Sequence, residues 1–180
     1  MSFIFKQLSI PDLLLIQPKV FKDERGFFME KYKKGDFDKY DIPPFVQDNH
    51  SYSQRGVIRG LHYQLNPYSQ GKLVSVIGGK IWDIAVDIRK DSVYFGKWEG
   101  VELSEENNLS FYIPPGFAHG FVALSDNVHL FYKCTNEYNS SSERSIRWDD
   151  PDLNIDWKIT DPLLSDKDRE GSFLRDASCF

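Results

Sequence analysis

Two cysteines in 180 residues, Cys134 and Cys179, make neither a disulfide framework nor a paired-cysteine metal site. Long apolar runs are missing as well. Leu13–Ile16 is the longest near the N-terminus, far short of the ~20 residues that a membrane-spanning helix needs. No stretch joins a charged segment to an apolar core and a small-residue cleavage site, so a cytoplasmic setting is expected. A basic excess is absent too. The chain has 22 basic and 27 acidic residues and a net charge of −5. That argues against a general nucleic-acid binder, although a few local cations could still hold an anionic ligand. No long helical period, internal repeat or linker interrupts the chain. Residues 1–180 are therefore expected to form one domain, with neither nucleic acid nor membrane as a partner.

What the chain has in abundance is aromatic side chains, 15% of all residues. Aromatic and β-branched residues favour strands. Val74–Ile77 reads as a strand followed by Gly78-Gly79. Ile81–Arg89 then alternates, with Trp82, Ile84, Val86 and Ile88 on one face. Two such runs about a Gly-Gly pair predict a β-hairpin. Phe121–Leu124 and Val128–Thr135, which flank Ser125-Asp126-Asn127, predict a second one. Phe111–Ile113 is a short strand stopped by Pro114-Pro115-Gly116. Helix signals are few: Lys33–Tyr40 suffices for two turns, and Ser165-x-x-Asp168 reads as a helix cap. Many short strands with regular turns point to a β-sandwich or barrel.

The chain has four histidines, and two of them have informative surroundings. Gly56 to Gln64 places a glycine before His62, and Pro114-Pro115-Gly116-Phe117-Ala118-His119 is Pro-x-Gly-x-x-His. These resemble the two motifs of the cupin superfamily. The resemblance implies an all-β, cupin-type jelly-roll barrel with a few short peripheral helices. In metal cupins the first motif carries a second His and then a Glu. Here Gln64 takes the place of that His, and Tyr68 and Ser69 stand where the Glu is expected. Half the ligand set is absent, so no metal is expected.

Eight segments, two of them overlapping those motifs, resemble in order the dTDP-4-dehydrorhamnose 3,5-epimerase family. They are Asp23 to Glu30, Gln47-Asp48-Asn49, Arg59 to Gln64, Gly71-Lys72-Leu73-Val74, Pro114 to Gly120, Tyr132-Lys133-Cys134-Thr135, Trp148 to Pro151, and Leu164 to Asp168. The resemblance implies conversion of a dTDP-4-keto-6-deoxyglucose to dTDP-4-keto-L-rhamnose, in dTDP-L-rhamnose biosynthesis, without cofactor and as a homodimer. It also implies roles. His62 is the base, Asp168 orients it, Tyr132 is the acid and Lys72 stabilises the enolate. Arg59 holds diphosphate; Gln47, Asp48 and Asn49 contact the nucleotide; Tyr138 stacks on thymine. Glu143 and Lys167 lie nearby, and His119 contacts the sugar. Arg25 and Glu30 belong to an N-terminal arm that reaches the partner subunit's site.

The residue types suit that chemistry in their own right. A 4-keto sugar has acidified protons at C3 and C5. Inverting either centre takes a base on one face, an acid on the other and a cation for the enolate oxygen. Imidazole accepts a proton near neutral pH, and a phenol stays protonated until an enolate demands its proton. A monofunctional 3- or 5-epimerase would share nearly all these segments. A metal-dependent cupin and a non-catalytic nucleotide-sugar-binding cupin are the readings from other classes. One geometric tension stands: strict strand alternation puts Arg59 and His62 on opposite faces, unless Gly60 marks a bulge or the strand starts after it.

Overall fold

In the computed structural model, residues 2–180 are described. The first strands are β1 (Phe3–Gln7), β2 (Leu14–Pro18), β3 (Val20–Asp23) and β4 (Gly26–Met29). After a short helix α1 (Lys34–Phe37) come β5 (Gln47–Ser53), β6 (Ile58–Gln64), β7 (Lys72–Gly78) and β8 (Lys80–Asp87). The remainder are β9 (Trp98–Ser104), β10 (Ser110–Ile113), β11 (Phe117–Ala123), β12 (Val128–Cys134), β13 (Glu143–Ser145) and a one-turn helix α2 (Asp166–Arg169). Six strands form one sheet in the order β1-β2-β10-β7-β12-β5, and five form the other in the order β13-β6-β11-β8-β9. Every pairing between these strands is antiparallel. This is the expected jelly roll.

Alternation places the core. Val74, Val76, Val128 and Leu130 from one sheet meet Ile81, Ala85, Phe117 and Phe121 from the other in a shared interior. The odd-even partner face of β8 is buried as well. Trp82, Ile84, Val86 and Ile88 pack beneath Leu153, Trp157 and Leu174 of the turn-rich C-terminal segment. On the outside of the six-stranded sheet, Phe37 of α1 covers Leu14, Ile16, Leu73 and Tyr112. Its ring packs edge-on to Phe3 and Phe5. Both sheets thus have one apolar face inside and a second one roofed by peripheral chain.

Both predicted hairpins are corrected. β7 pairs with β10 and β12, whereas β8 pairs with β9 and β11, so Gly78-Gly79 carries the chain from one sheet to the other. Ser125-Asp126-Asn127 does the same between β11 and β12. The two corners pack together. A side chain at Gly79 would lie 2.6 Å from Ser125 Oγ, and that same hydroxyl accepts from the Lys80 amide at 2.9 Å. Mutual packing of the corners, which local turn chemistry does not specify, selects the crossover.

β3 and β4 form a separate two-stranded ribbon. Phe21, Phe27 and Phe28 on it are exposed.

Candidate active site

A cavity of about 490 Å³ opens between the inner faces of the two sheets. Its six-stranded wall contributes Gln47, Asn49 and Ser51 from β5, Lys72 from β7, and Tyr132 from β12. Its five-stranded wall contributes Arg59, His62 and Gln64 from β6 and His119 from β11. Tyr138, Glu143, Lys167 and Asp168 close one side.

Gly60 is what brings Arg59 and His62 to the same wall. β6 pairs His62 with His119 and Arg59 with Phe121, so β6 has one residue more than β11 between these pairs. The bulge sits where the strands touch backbone to backbone. Gly60 has φ +130°, and a Cβ there would come within 2.4 Å of Gly120 Cα.

His62 Nε2 lies 2.7 Å from Oδ1 of Asp168. Asp168 is held from three directions. Oδ1 also accepts from the Gly60 amide at 3.1 Å, and Oδ2 accepts from the Ser165 hydroxyl at 2.6 Å. Ser165 in turn caps α2 by accepting from the Asp168 amide. The cap and the orienting carboxylate are therefore one arrangement. Burial works to raise the Asp168 carboxyl, but His62, Ser165 and Gly60 together keep it below the ordinary carboxylate range.

Across the cavity, Tyr132 is partly buried. Desolvation, with Cys134 and Glu143 adding to it against Arg59, pushes its phenol above the ordinary value, so it carries its proton at neutral pH. Lys72 is 8% exposed. Burial draws its ammonium below the usual lysine value, although Cys134 and Glu143 act the other way. Among the described residues that ammonium has no hydrogen-bond partner. Arg59 is fixed by neutral acceptors, Ser53 Oγ and the Tyr52 carbonyl, each at 3.1 Å. Its charge therefore has no carboxylate partner among the described residues.

At the cavity's open side, Glu143 Oε1 pairs with Lys167 at 2.5 Å and Oε2 accepts from the Tyr138 hydroxyl at 2.9 Å. The Tyr138 amide donates to Gln47, whose own amide donates to Asn49. Gln64 has a structural duty at the position where a metal cupin carries histidine. Its amide nitrogen donates to the Tyr68 and Glu137 carbonyls and its oxygen accepts from the Asn139 amide.

Three of the residues expected at the site lie elsewhere in this chain. Asp48 alternates to the outer face of β5 and pairs with Lys133 at 2.8 Å, so its side chain has no access to the cavity. Arg25, at the end of the β3–β4 ribbon, is 85% exposed and bound to Asp23. Glu30, just beyond the ribbon, does not line this chain's cavity either. Sequence reasoning found Ser165 as the cap beside Asp168 but missed Ser51 and Asp83. Asp83 Oδ1 lies 2.7 Å from His119 Nε2, and the only local signal for it was an acidic residue flanked by the apolar Ile81-Trp82 and Ile84-Ala85-Val86.

The sequence model of the family described as dTDP-4-dehydrorhamnose 3,5-epimerase matches residues 7–176. The chain belongs to this family. It is 54% identical over 174 residues to the dTDP-4-dehydrorhamnose 3,5-epimerase of Shigella flexneri, covering 96% of each chain. The crystal structure of the Legionella pneumophila dTDP-6-deoxy-D-glucose-3,5-epimerase, in complex with dTDP-4-keto-L-rhamnose, matches with a TM-score of 0.95 at 47% identity. The match covers 98% of this chain and 95% of that one. A 3'-monoepimerase from Streptomyces bikiniensis, in complex with dTDP-quinovose, is more distant, with a TM-score of 0.89 at 34% identity over 94% of this chain and 87% of that one. The chain is an epimerase, hence an isomerase, of the dTDP-4-dehydrorhamnose 3,5-epimerase family. Among the described residues no helix is long and apolar enough to cross a membrane.

Proposed function

We propose that this single domain epimerises dTDP-4-dehydro-6-deoxy-D-glucose at C3 and C5 to dTDP-4-dehydro-L-rhamnose by acid–base proton transfer through an enolate. One observation carries the mechanism: His62 with its carboxylate stands on one sheet, and Tyr132 stands on the other, across a single cavity. A sugar ring between the sheets has one face toward each. His62 removes the proton beside the C4 ketone. The pair of electrons moves onto the ketone oxygen, where the unpartnered Lys72 ammonium meets it. Tyr132 returns a proton to the opposite face. Both C3 and C5 adjoin the ketone, so a small shift of the ring presents each in turn to the same pair.

Arg59 takes the diphosphate, and Tyr138, held by Glu143, stacks on the thymine with Gln47, Asn49 and Lys167 around it. His119 contacts the sugar. The exposed aromatic ribbon supports an arm in a homodimer. A two-stranded ribbon is marginal by itself, and Phe21, Phe27 and Phe28 need a surface to cover them. In that assembly Arg25 and Glu30 would serve the partner subunit's cavity. The expected setting is the cytoplasm.

Proton NMR of dTDP-4-keto-6-deoxyglucose incubated with the enzyme in D₂O tests this reading. Deuterium should enter at both C3 and C5, with the L-configured sugar as product. Inversion at one carbon alone would move the chain to the monofunctional kind represented by the Streptomyces bikiniensis structure. Binding without exchange at either carbon would leave a non-catalytic module.

A further inference from the structure

Two histidines of the five-stranded wall each stand 2.7 Å, Nε2 to Oδ1, from an aspartate: His119 from Asp83 in a directed hydrogen bond, and His62 from Asp168 of α2 at ion-pair distance without hydrogen-bond alignment. Their carboxyls stand in opposite surroundings. Asp168 also has a backbone amide on one oxygen and a hydroxyl on the other. Asp83 has neither. Its side chain is wholly shielded from solvent, and Oδ2 has no hydrogen-bond partner. Its cross-strand neighbours are Phe121 and Val101, and the residues two along on its own face are Ile81 and Ala85.

A spacing of 2.7 Å fits two proton arrangements. Either Nε2–H donates to a carboxylate, or a carboxylic acid donates to the Nε2 lone pair. The first leaves a charged oxygen buried with no donor, which is costly in apolar surroundings. The second leaves only a carbonyl-like oxygen. Full burial pushes the Asp83 carboxyl up, and His119 only partly offsets it. Nδ1 of His119 has no hydrogen-bond partner among the described residues, and the ring lines the cavity.

We propose that Asp83 is a positioning residue that keeps its proton and donates it to Nε2 of His119, so that His119 presents Nδ1–H to the sugar as a fixed donor. The two pairs are then complementary. The ionised Asp168 leaves Nδ1 of His62 free to accept a proton, and the neutral Asp83 makes Nδ1 of His119 a donor. Two carboxyls whose environments push them apart give two histidines of the same wall different tasks. The inference deepens the epimerase reading above and rests on it for the identity of the sugar.

The test reads the tautomer directly. Long-range proton–nitrogen NMR of uniformly labelled, ligand-free protein should show His119 protonated at Nδ1. Asp83→Ala should remove that fixed tautomer and lower kcat/KM by about tenfold or more. Asp83→Asn, whose amide can donate to Nε2 as the acid does, should restore the Nδ1–H signature and most of that loss. A wild-type His119 protonated at Nε2 would overturn the proposal, as would an Asn variant as impaired as the Ala variant or an Ala variant with wild-type kcat/KM. If Ala fails to fold, the wild-type spectrum and the Asn variant still decide. Failure of the epimerase reading itself would appear elsewhere, as absence of exchange in the wild-type enzyme with the tautomer unchanged.

Discussion

Replacing Lys72 by methionine should stabilise this fold while removing most of its activity. The lysine stem is buried at the end of β7, and its ammonium has no hydrogen-bond partner among the described residues. A buried charge without a partner costs several kcal/mol, less where the site is a cavity open on one side, as it is here. Methionine fills nearly the same volume and carries no charge. A net gain of about 1–2 kcal/mol is expected, which for a domain of this size raises Tm by roughly 2–8 °C. The gain should depend on pH in a fixed direction. Because folding lowers the Lys72 pKa, the unfolded chain binds the extra proton between the folded value and the ordinary ~10.4. Wild-type stability therefore rises with pH across that interval, and the advantage of the variant narrows. Losing the cation proposed to meet the enolate oxygen should cost about 10²–10³ in turnover. Calorimetry and urea titration of both proteins across pH, with turnover by NMR, measure all three quantities. A variant less stable than wild type at neutral pH, or one within tenfold of its turnover, would refute the argument.

The same geometry fixes two further outcomes. His62→Ala should abolish both turnover and solvent exchange, whereas Tyr132→Phe should block completed inversion and leave some exchange from the histidine face. Mutants equally dead in exchange, with folding and substrate binding intact, would contradict that division. Gly60→Ala meets Gly120 Cα at 2.4 Å and a φ of +130°. It should destabilise by about 3 kcal/mol or more, with Tm falling roughly 6–12 °C, and activity should fall with it, because Arg59 and His62 share a face only through that bulge. A Gly60→Ala protein with wild-type Tm would show that the strand contact is not what holds the bulge.

The strands were legible because period-two alternation is a local property. The Trp82, Ile84, Val86 and Ile88 face is the one that packs under the C-terminal segment. Partner choice was not legible at the two corners. Gly78-Gly79 and Ser125-Asp126-Asn127 suit a hairpin and a crossover equally, and their mutual packing across some forty residues decides between the two. The site residues on regular strands fell where motif order placed them. Asp48 did not, because a motif names neighbours in sequence while a strand sends neighbours to opposite faces. Asp83 stayed hidden for the opposite reason. It belongs to no run of polar residues, and only β11, pairing beside β8, shows that His119 is within reach.

Net charge misleads about this protein's ligand unless its distribution is followed. Many of its cations are neutralised within the chain: Arg25, Lys34, Lys39, Arg89, Arg147 and Lys158 each sit against an aspartate. Within the cavity the pattern changes. Arg59 is oriented by a hydroxyl and a carbonyl, and the Lys72 ammonium feels Glu143 only through space, so neither cation is paired directly with a carboxylate among the described residues. A phosphate 4 Å from one such cation gains about 4 kcal/mol at an effective dielectric of 20. Salt screens the repulsion of exposed acidic groups more than ~8–10 Å away. The fold thus holds two cations without a salt-bridge partner where the diphosphate and the developing enolate are proposed to lie. An acidic chain can in this way bind a dianionic nucleotide sugar and stabilise a further negative charge on it.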